Sequence, residues 1–265
     1  DSGHVDIAQN ARGAGVLRFS GVQFLQQSHR GGVGFAGIAL EFEQPCIGLQ
    51  NAGVVVDHQH AHTVGDGASE ELLAAYADIA RELPLRDLRP SISHSNFMTS
   101  ETVAAAARLG VVMDIQPIWL YLDTRTLVAQ FGYERLRWFQ PLRSILAAGG
   151  VAGGGSDHML KIGDLRAINP YNPFLGMWTT ITRRAKWHEG RLHPEEALTR
   201  RQAVEFYTRL NAQVIRWEKE IGSLESGKRA DFIIVDRDLL ECPEDDLRAT
   251  RVLETWVDGR RVHGL

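Results

Sequence analysis

The sequence predicts an α/β protein with a parallel β-sheet or barrel. Short apolar stretches and helical patterns alternate three or more times between residues 51 and 157, with short connections. Such alternation is typical of βα units, in which helices join parallel strands. Polar residues also stand where four different predicted strands end: His62, His94, Gln116 and Asp157. These observations favour a (β/α)8-type barrel, because such barrels build their active sites at the carboxyl ends of the strands.

Composition and charge define the broad class of protein. The chain has 265 residues, of which 44% are hydrophobic, and a formal net charge of -4, which suits one large domain or one domain with a small appendage. The small, mixed charge argues against nucleic acid or a membrane surface as a partner. No membrane span or signal peptide is evident. Cys46 and Cys242 form no CxxC pair, so we expect a reducing, cytoplasmic compartment.

The first fifty residues give only short strand signals. Residues 16–19 and 22–25 have strand composition, and residues 37–42 fit either a strand or a short helix. The glycines between them match no phosphate-binding spacing, so we interpret them as loop glycines.

Residues 58–68 carry three histidines at alternate positions, directly after an apolar run. Because side chains two apart in a strand point the same way, His58, His60 and His62 are expected to share one face, and residues 65–67 to form the turn that ends the strand. Imidazoles that converge at the carboxyl end of a strand favour a metal site. The alternative is a polar strand end with solvated histidines.

The next elements follow in regular order. The patterns predict a helix at 69–83, a strand at 91–94, a helix at 102–109, a strand at 111–115, a helix at 141–148 and a strand at 151–157. Each polar strand end taken singly fits a helix cap or a turn residue. Four of them on separate strands favour a shared site. The small residues Gly153, Gly154 and Gly155 are expected to let the last strand approach that site closely.

Further candidates lie in the connecting segments. Trp119 and Tyr121 could line a pocket, and His158 could reach a substrate, although ordinary packing of barrel loops also explains the two aromatic residues. Residues 168–178, rich in Asn and Pro, predict a loop that shapes the substrate pocket.

The chain is predicted to divide near residue 220. Residues 1–220 would form the barrel-type domain, and residues 221–265 a small β-sandwich portion. Strand patterns at 231–236 and 252–257 are the clearest in this part, and Asp258-Gly259 is a hairpin signal.

Several motifs of the chain occur together in one known group of proteins. They include His-Thr-Val-Gly-Asp-Gly-Ala at 62–68, Gly-Ser-Asp at 155–157 and Gly-Ser-Leu-Glu-Ser-Gly-Lys-Arg-Ala-Asp at 222–231. With them, residues 51–265 resemble the metal-dependent amidohydrolase superfamily, in the branch that includes N-substituted formamide deformylases. The resemblance implies a TIM-barrel-type fold, one or two divalent metal ions, with zinc expected, and a small-molecule, amide-type substrate.

The resemblance also implies roles for individual residues. His62 and His94 would bind the metal, and Asp157 would be both a ligand and the general base for the attacking water. Gln116, Trp119 and His158 are the predicted substrate-binding residues. The implied activity is hydrolysis of an amide or other non-peptide C–N bond. The alternative is a catalytically inactive fragment or degenerate relative with a role in binding or assembly.

The chain departs from the family pattern before His62. The family has a His-x-His pair on its first strand and often a modified lysine or a glutamate on its fourth, but no lysine precedes Lys161 here. Replacement ligands could come from Glu41, Glu43 or Cys46, whereas His58 and His60 lie on a different strand from the family's pair. We therefore expect a partial barrel. Its open strand edges predict either a homodimer or a larger polypeptide that includes the first half of the barrel.

Overall fold

A computed structural model describes residues 60–158 and 170–264 in full and three earlier strands as backbone. The strands are β1 (Val22–Phe24), β2 (Ile38–Leu40), β3 (Val55–Asp57), β4 (His60–Thr63), β5 (Ser91–His94), β6 (Val112–Ile115), β7 (Val151–Gly154), β8 (Phe232–Val235), β9 (Val252–Val257) and β10 (Arg260–Gly264). The helices are α1 (Asp66–Ile79), α2 (Leu85–Leu88), α3 (Ser100–Leu109), α4 (Pro117–Phe131), α5 (Leu142–Ala147), α6 (Pro173–Thr182), α7 (Arg200–Tyr207) and α8 (Arg209–Val214). Short 3-10 helices lie at Glu134–Leu136, Pro194–Glu196 and Glu244–Ala249.

The central element is a five-stranded sheet in the order β3-β4-β5-β6-β7. Strands β4 to β7 pair in parallel, and helices follow each of them along the chain. The predicted α/β class and parallel sheet are confirmed. Over the described residues the sheet is open, as expected for part of a barrel.

The two faces of the parallel sheet differ in polarity. One cross-strand row consists of Ala61, Ile92, Met113 and Ala152, all at most 1% exposed and part of the main hydrophobic core. The next row along the strands is formed by His62, Ser93, Asp114 and Gly153. Because neighbouring residues of a strand point to opposite faces, the sheet buries its apolar row against helices and keeps its polar row on the other side.

Helix α3 has a capping residue at each end. The Thr99 hydroxyl accepts a hydrogen bond from the Thr102 amide, and Thr102 caps the Thr99 amide in return, so α3 starts with a capping box. The same helix ends at Gly110, whose φ of 72° is readily adopted by glycine. Its buried residues Val103 and Ala106 then pack in the main core.

The C-terminal part forms a separate three-stranded antiparallel sheet in the order β10-β9-β8. The β9–β10 hairpin turns through Asp258 and Gly259, with φ of 51° and 72°, as the Asp-Gly signal predicted. The Phe232 and Trp256 rings stack with centroids 5.5 Å apart. Within the described residues this portion has one sheet, and the division at residue 220 stays a prediction.

The prediction of a single strand with three alternating histidines is wrong. β3 ends at Asp57, and β4 begins at His60 and runs antiparallel to β3. The apolar run and the histidines therefore belong to two paired strands that run in opposite directions. His58, Glu41, Glu43 and Cys46 lie outside the described residues.

The predicted loop at 168–178 is also wrong from Pro173 onward, where α6 begins. The Asn172 side chain accepts hydrogen bonds from the Phe174 and Leu175 amides, and Pro173 occupies the first helical position. Asn and Pro favour loops, but in this order they also favour a helix start. Among the described helices, none is long and apolar enough to cross a membrane.

Candidate active site

The carboxyl ends of β4 and β5 bring two imidazoles together. The ring centroids of His62 and His94 are 5.2 Å apart, and those of His60 and His62 are 5.0 Å apart. His62 is exposed and His94 is half-buried. Parallel pairing aligns the two strand ends, with Thr63 opposite His94, so the two imidazoles lie at the same end of the sheet.

The surroundings of His62 favour the neutral form of its ring, although part of the side chain is exposed to solvent. Partial burial lowers the pKa of His62, and the neighbouring His60 and His94 lower it further, while Asp114 and Asp157 act in the opposite direction. A neutral imidazole keeps a lone pair, which is the form that binds a cation. The same influences show that Asp114 and Asp157 lie within electrostatic range of His62.

His94 has a strained backbone and a fixed ring. Its φ is 70° and that of Ser95 is 43°, a left-handed conformation that is uncommon outside glycine. The Nδ1 atom of His94 lies 2.8 Å from Oε1 of Gln116, the residue that precedes α4. Strained residues of this kind are often found at functional sites.

Asp157 follows β7 and faces the first turn of α4. It is exposed, has a φ of 50°, and its Oδ2 atom accepts a hydrogen bond of 3.1 Å from the Trp119 indole. The adjacent His158 packs edge-on against Tyr171, with ring centroids 5.0 Å apart. The indole N–H of Trp119 thus contacts the candidate base, and the substrate-binding roles of Gln116, Trp119 and His158 stay predictions.

Further along the polar face, His60 belongs to a hydrogen-bond network. Its two ring nitrogens contact the hydroxyls of Ser91 and Ser93, and Ser93 also donates to Oδ2 of Asp114 at 3.1 Å. Asp114 was not among the predicted site residues. The signal for it was present in β6, where a charged residue alternates with the buried residues Met113 and Ile115.

Asp66 has a structural position near the site. It lies in the first turn of α1, accepts a hydrogen bond from the Gly67 amide, and forms an ion pair with Arg135 at 2.6 Å. The turn predicted at 65–67 is the start of this helix. The negative charge of Asp66 therefore interacts favourably with the positive end of the helix dipole.

The donor chemistry of the site suits a divalent metal. Two imidazoles and a carboxylate, from His62, His94 and Asp157, are the ligand types that Zn²⁺ binds. In the described part of the chain, no group of three or more His, Cys, Asp or Glu side chains is arranged to hold a metal. The described geometry thus supplies a histidine pair with a nearby carboxylate, and not a complete first coordination sphere.

Two cavities adjoin these residues. A cavity of about 220 Å³ lies at the carboxyl end of β7, between Ser156, Ile118 and Tyr171. A larger one, of about 1070 Å³, extends from His60 and Asp114 towards the C-terminal sheet. The smaller cavity is lined by Ser156, which precedes Asp157, and the larger one by His60, whose ring lies beside that of His62.

Comparison with known proteins identifies the family. The model of the amidohydrolase family matches residues 53–263, which is most of the chain. The chain belongs to the amidohydrolase family. The resemblance in the motifs at 62–68, 155–157 and 222–231 is thereby confirmed.

Individual relatives agree with this assignment. The amidohydrolase chain is 37% identical to the N-substituted formamide deformylase of Arthrobacter pascens over 200 residues, which cover 75% of this chain and 35% of that protein. It is similar to a metal-dependent hydrolase from Pyrococcus horikoshii, with a TM-score of 0.56, 25% identity and coverage of 69% and 35%. A second such hydrolase, from Pyrococcus furiosus, has a TM-score of 0.53, 25% identity and coverage of 68% and 33%. The chain spans about a third of the length of these relatives.

Proposed function

We propose that this amidohydrolase chain carries the histidine pair and the general base of a metal-dependent hydrolase. The substrate class is an amide or another non-peptide C–N bond in a small molecule. His62 and His94 would hold a divalent ion, with zinc as the favoured metal, and Asp157 would act as the base. One or two ions are compatible with the family pattern.

The observation that carries the proposal is the pairing of the His62 and His94 rings at the carboxyl ends of the neighbouring strands β4 and β5, with centroids 5.2 Å apart. Asp157, which follows β7, lies within electrostatic range of His62. The substrate class is supported by the 37% identity to an N-substituted formamide deformylase.

The chemistry assigned to Asp157 is proton transfer. A divalent metal held by His62 and His94 would supply Lewis-acid chemistry, by making a water more acidic and by polarising the substrate carbonyl. The Asp157 carboxylate, held by the Trp119 indole, would accept the proton of the attacking water and deliver it to the leaving amine. An indole N–H can only donate, so the contact fixes the direction of this hydrogen bond and orients the carboxylate.

The experiment is a hydrolysis screen of N-formyl and N-acyl amines with the purified protein and added zinc. Asp157→Asn should reduce turnover by about 10² to 10⁴, the usual value of a positioned acid/base group. Asp78→Asn, at an exposed ion pair on α1, is the matched control and should retain full activity. Unchanged turnover in Asp157→Asn would exclude the assigned role.

A second candidate is an inactive relative with a role in binding or assembly. It is favoured by one specific observation, that the described residues do not assemble three metal ligands. The screen separates the two candidates, because an inactive relative should hydrolyse none of the compounds in the presence of zinc. For both candidates we propose a cytoplasmic location, in keeping with a sequence whose two cysteines, Cys46 and Cys242, form no CxxC pair.

A further inference from the structure

The side-chain amide of Gln116 has a fixed orientation beside His94. Gln116 is buried, with 4% of its surface exposed. Its Nε2 atom donates a hydrogen bond of 3.0 Å to the main-chain carbonyl of Asp114, and its Oε1 atom lies 2.8 Å from Nδ1 of His94. A carbonyl oxygen can only accept, so the nitrogen end of the amide must face Asp114 and the oxygen end must face His94.

This orientation determines where His94 carries its proton. An amide oxygen also only accepts, so Nδ1 of His94 must be the donor in the 2.8 Å contact. A neutral imidazole has one N–H, and its second nitrogen, Nε2, therefore keeps its lone pair.

We propose that Gln116 is a positioning residue that holds His94 in the Nδ1–H tautomer and so leaves Nε2 as the ligand atom. The tautomer follows from the hydrogen bonds alone, while its use for metal binding rests on the proposed function. Partners of this kind orient metal-binding histidines and raise their basicity. Gln116 thus acts through His94, in place of the substrate contact predicted from the sequence.

A buried series of hydrogen bonds holds Gln116 in turn. Nε2 of Gln140 donates to the Gln116 carbonyl at 3.0 Å and to Oδ1 of Asn96 at 2.9 Å. Nη1 of Arg183 donates to the Gln140 carbonyl at 2.9 Å, and its Nη2 donates to the Phe139 carbonyl at 3.0 Å. Arg183 and Gln140 are fully buried. Arg183, at the C-terminal end of α6, therefore helps to hold the Gln116 backbone in place through Gln140.

His60 provides a contrast within the same site. A carboxylate only accepts, so the Ser93 hydroxyl donates to Asp114 and accepts from Nε2 of His60. Nδ1 of His60 then accepts from the Ser91 hydroxyl. His60 is expected in the Nε2–H tautomer with both nitrogens engaged, which is the opposite of His94.

The test is ¹⁵N NMR of the imidazole nitrogens in the metal-free protein, at about pH 8.5, two units above the ordinary histidine pKa. His94 should show a protonated Nδ1 and an unprotonated Nε2, and His60 the reverse pattern. A His94 ring protonated on Nε2 would overturn the proposal, whatever the activity of the protein.

Variants assign the effect to Gln116. Gln116→Met keeps the length of the side chain but offers Nδ1 only a weak thioether acceptor in place of the amide oxygen, so His94 should shift towards the Nε2–H tautomer. Gln116→Glu retains an acceptor and should preserve the Nδ1–H form. Gln130→Met, on the exposed end of the same helix α4, should leave the spectrum of His94 unchanged. An unchanged His94 tautomer in Gln116→Met would overturn the role of Gln116.

Zinc titration measures the consequence for binding. Gln116→Met should lower zinc affinity by about 10- to 100-fold, and Gln116→Glu should restore much of it. If Gln116→Met changes the tautomer but leaves zinc affinity at the wild-type value, the positioning role is overturned. If the wild type shows the Nδ1–H tautomer but binds no zinc, the proposed function fails while the tautomer assignment is supported.

Discussion

Two roles of Trp119 can be distinguished by experiment: contact with the substrate and orientation of the Asp157 carboxylate. Trp119→Phe keeps a large aromatic ring but removes the N–H that holds Asp157. Hydrogen bonds to charged groups are worth about 1.5–3 kcal/mol, so we expect kcat to fall by about ten-fold or more with little change in KM. Steady-state kinetics on the substrate found in the screen measure both. A raised KM with unchanged kcat would support the predicted substrate contact instead.

At the residue scale, strand ends were predictable and hydrogen-bond roles were not. His62, His94 and Asp157 were predicted as site residues because a polar residue at the end of an apolar strand marks the carboxyl end of a parallel sheet. The functions of Gln116 and His60 depend on partners 22 and 33 residues away, which spacing does not reveal. Asp114 could have been predicted from its alternation with Met113 and Ile115.

At the element scale, the glycines of β7 are constrained by helices. A Cβ atom at Gly154 would lie 2.3 Å from the Phe206 ring of α7, whereas one at Gly155 would have only ordinary contacts, at 3.6 Å to Asp114 and 3.8 Å to Gln116. A Cβ atom at Gly153 would collide with the Asn211 side chain of α8. The close approach predicted for these glycines is therefore an approach to helices α7 and α8.

These contacts predict different outcomes for two alanine variants. Gly154→Ala should destabilise the protein by about 1–3 kcal/mol through overpacking. Gly155→Ala should change stability by less than about 0.5 kcal/mol. Urea denaturation measures both, and equal losses in the two variants would contradict the packing described for β7.

Helix α1 contains a buried tyrosine, Tyr76, whose ionisation should lower the stability of the protein at high pH. Burial raises the pKa of Tyr76 to about 12 from an ordinary value of 10.0. Above pH 10 the unfolded chain loses this proton while the folded chain retains it, so the stabilisation is complete below pH 10 and is lost as the pH rises towards 12. Tyr76→Phe should show a smaller loss of unfolding free energy over this range. An identical pH dependence in the two proteins would contradict the burial of the hydroxyl.

Two of the helices that the sequence analysis did not predict, α4 and α6, share one cause. α4 and α6 each begin with a polar residue followed by proline, Gln116-Pro117 and Asn172-Pro173. Such pairs favour both turns and helix starts, and the packing of the following residues decides between them. Trp178 and Met177 of α6 are buried, and it is this burial in the folded protein that favours the helix.

At the scale of the whole molecule, we expect the chain to associate with a second copy. The larger cavity is bordered by the exposed apolar side chains of Ile215, Leu224, Ile233 and Val257. Contiguous apolar surface of this kind favours association. Light scattering coupled to size-exclusion chromatography should give twice the chain mass, and the mass of a single chain at micromolar concentration would contradict the expectation.

For the whole molecule, the parallel sheet and the protein family could be predicted from the sequence. The complete set of metal ligands could not. The family could be predicted from the motifs between His62 and Asp231, because they combine polar strand ends with a specific glycine-containing segment at 222–231. Replacement ligands from Glu41, Glu43 or Cys46 stay predictions, because those residues lie outside the described part of the chain.

The metal content of the protein tests the central proposal most directly. The chain is stripped with a chelator, dialysed against zinc and then against buffer, and analysed for metal, beside the double variant His62→Ala/His94→Ala. The wild type should retain about one zinc ion per chain, and the double variant should retain almost none, because imidazoles are the main ligands of the site. Equal zinc in both proteins, or none in the wild type, would contradict a metal site at His62 and His94.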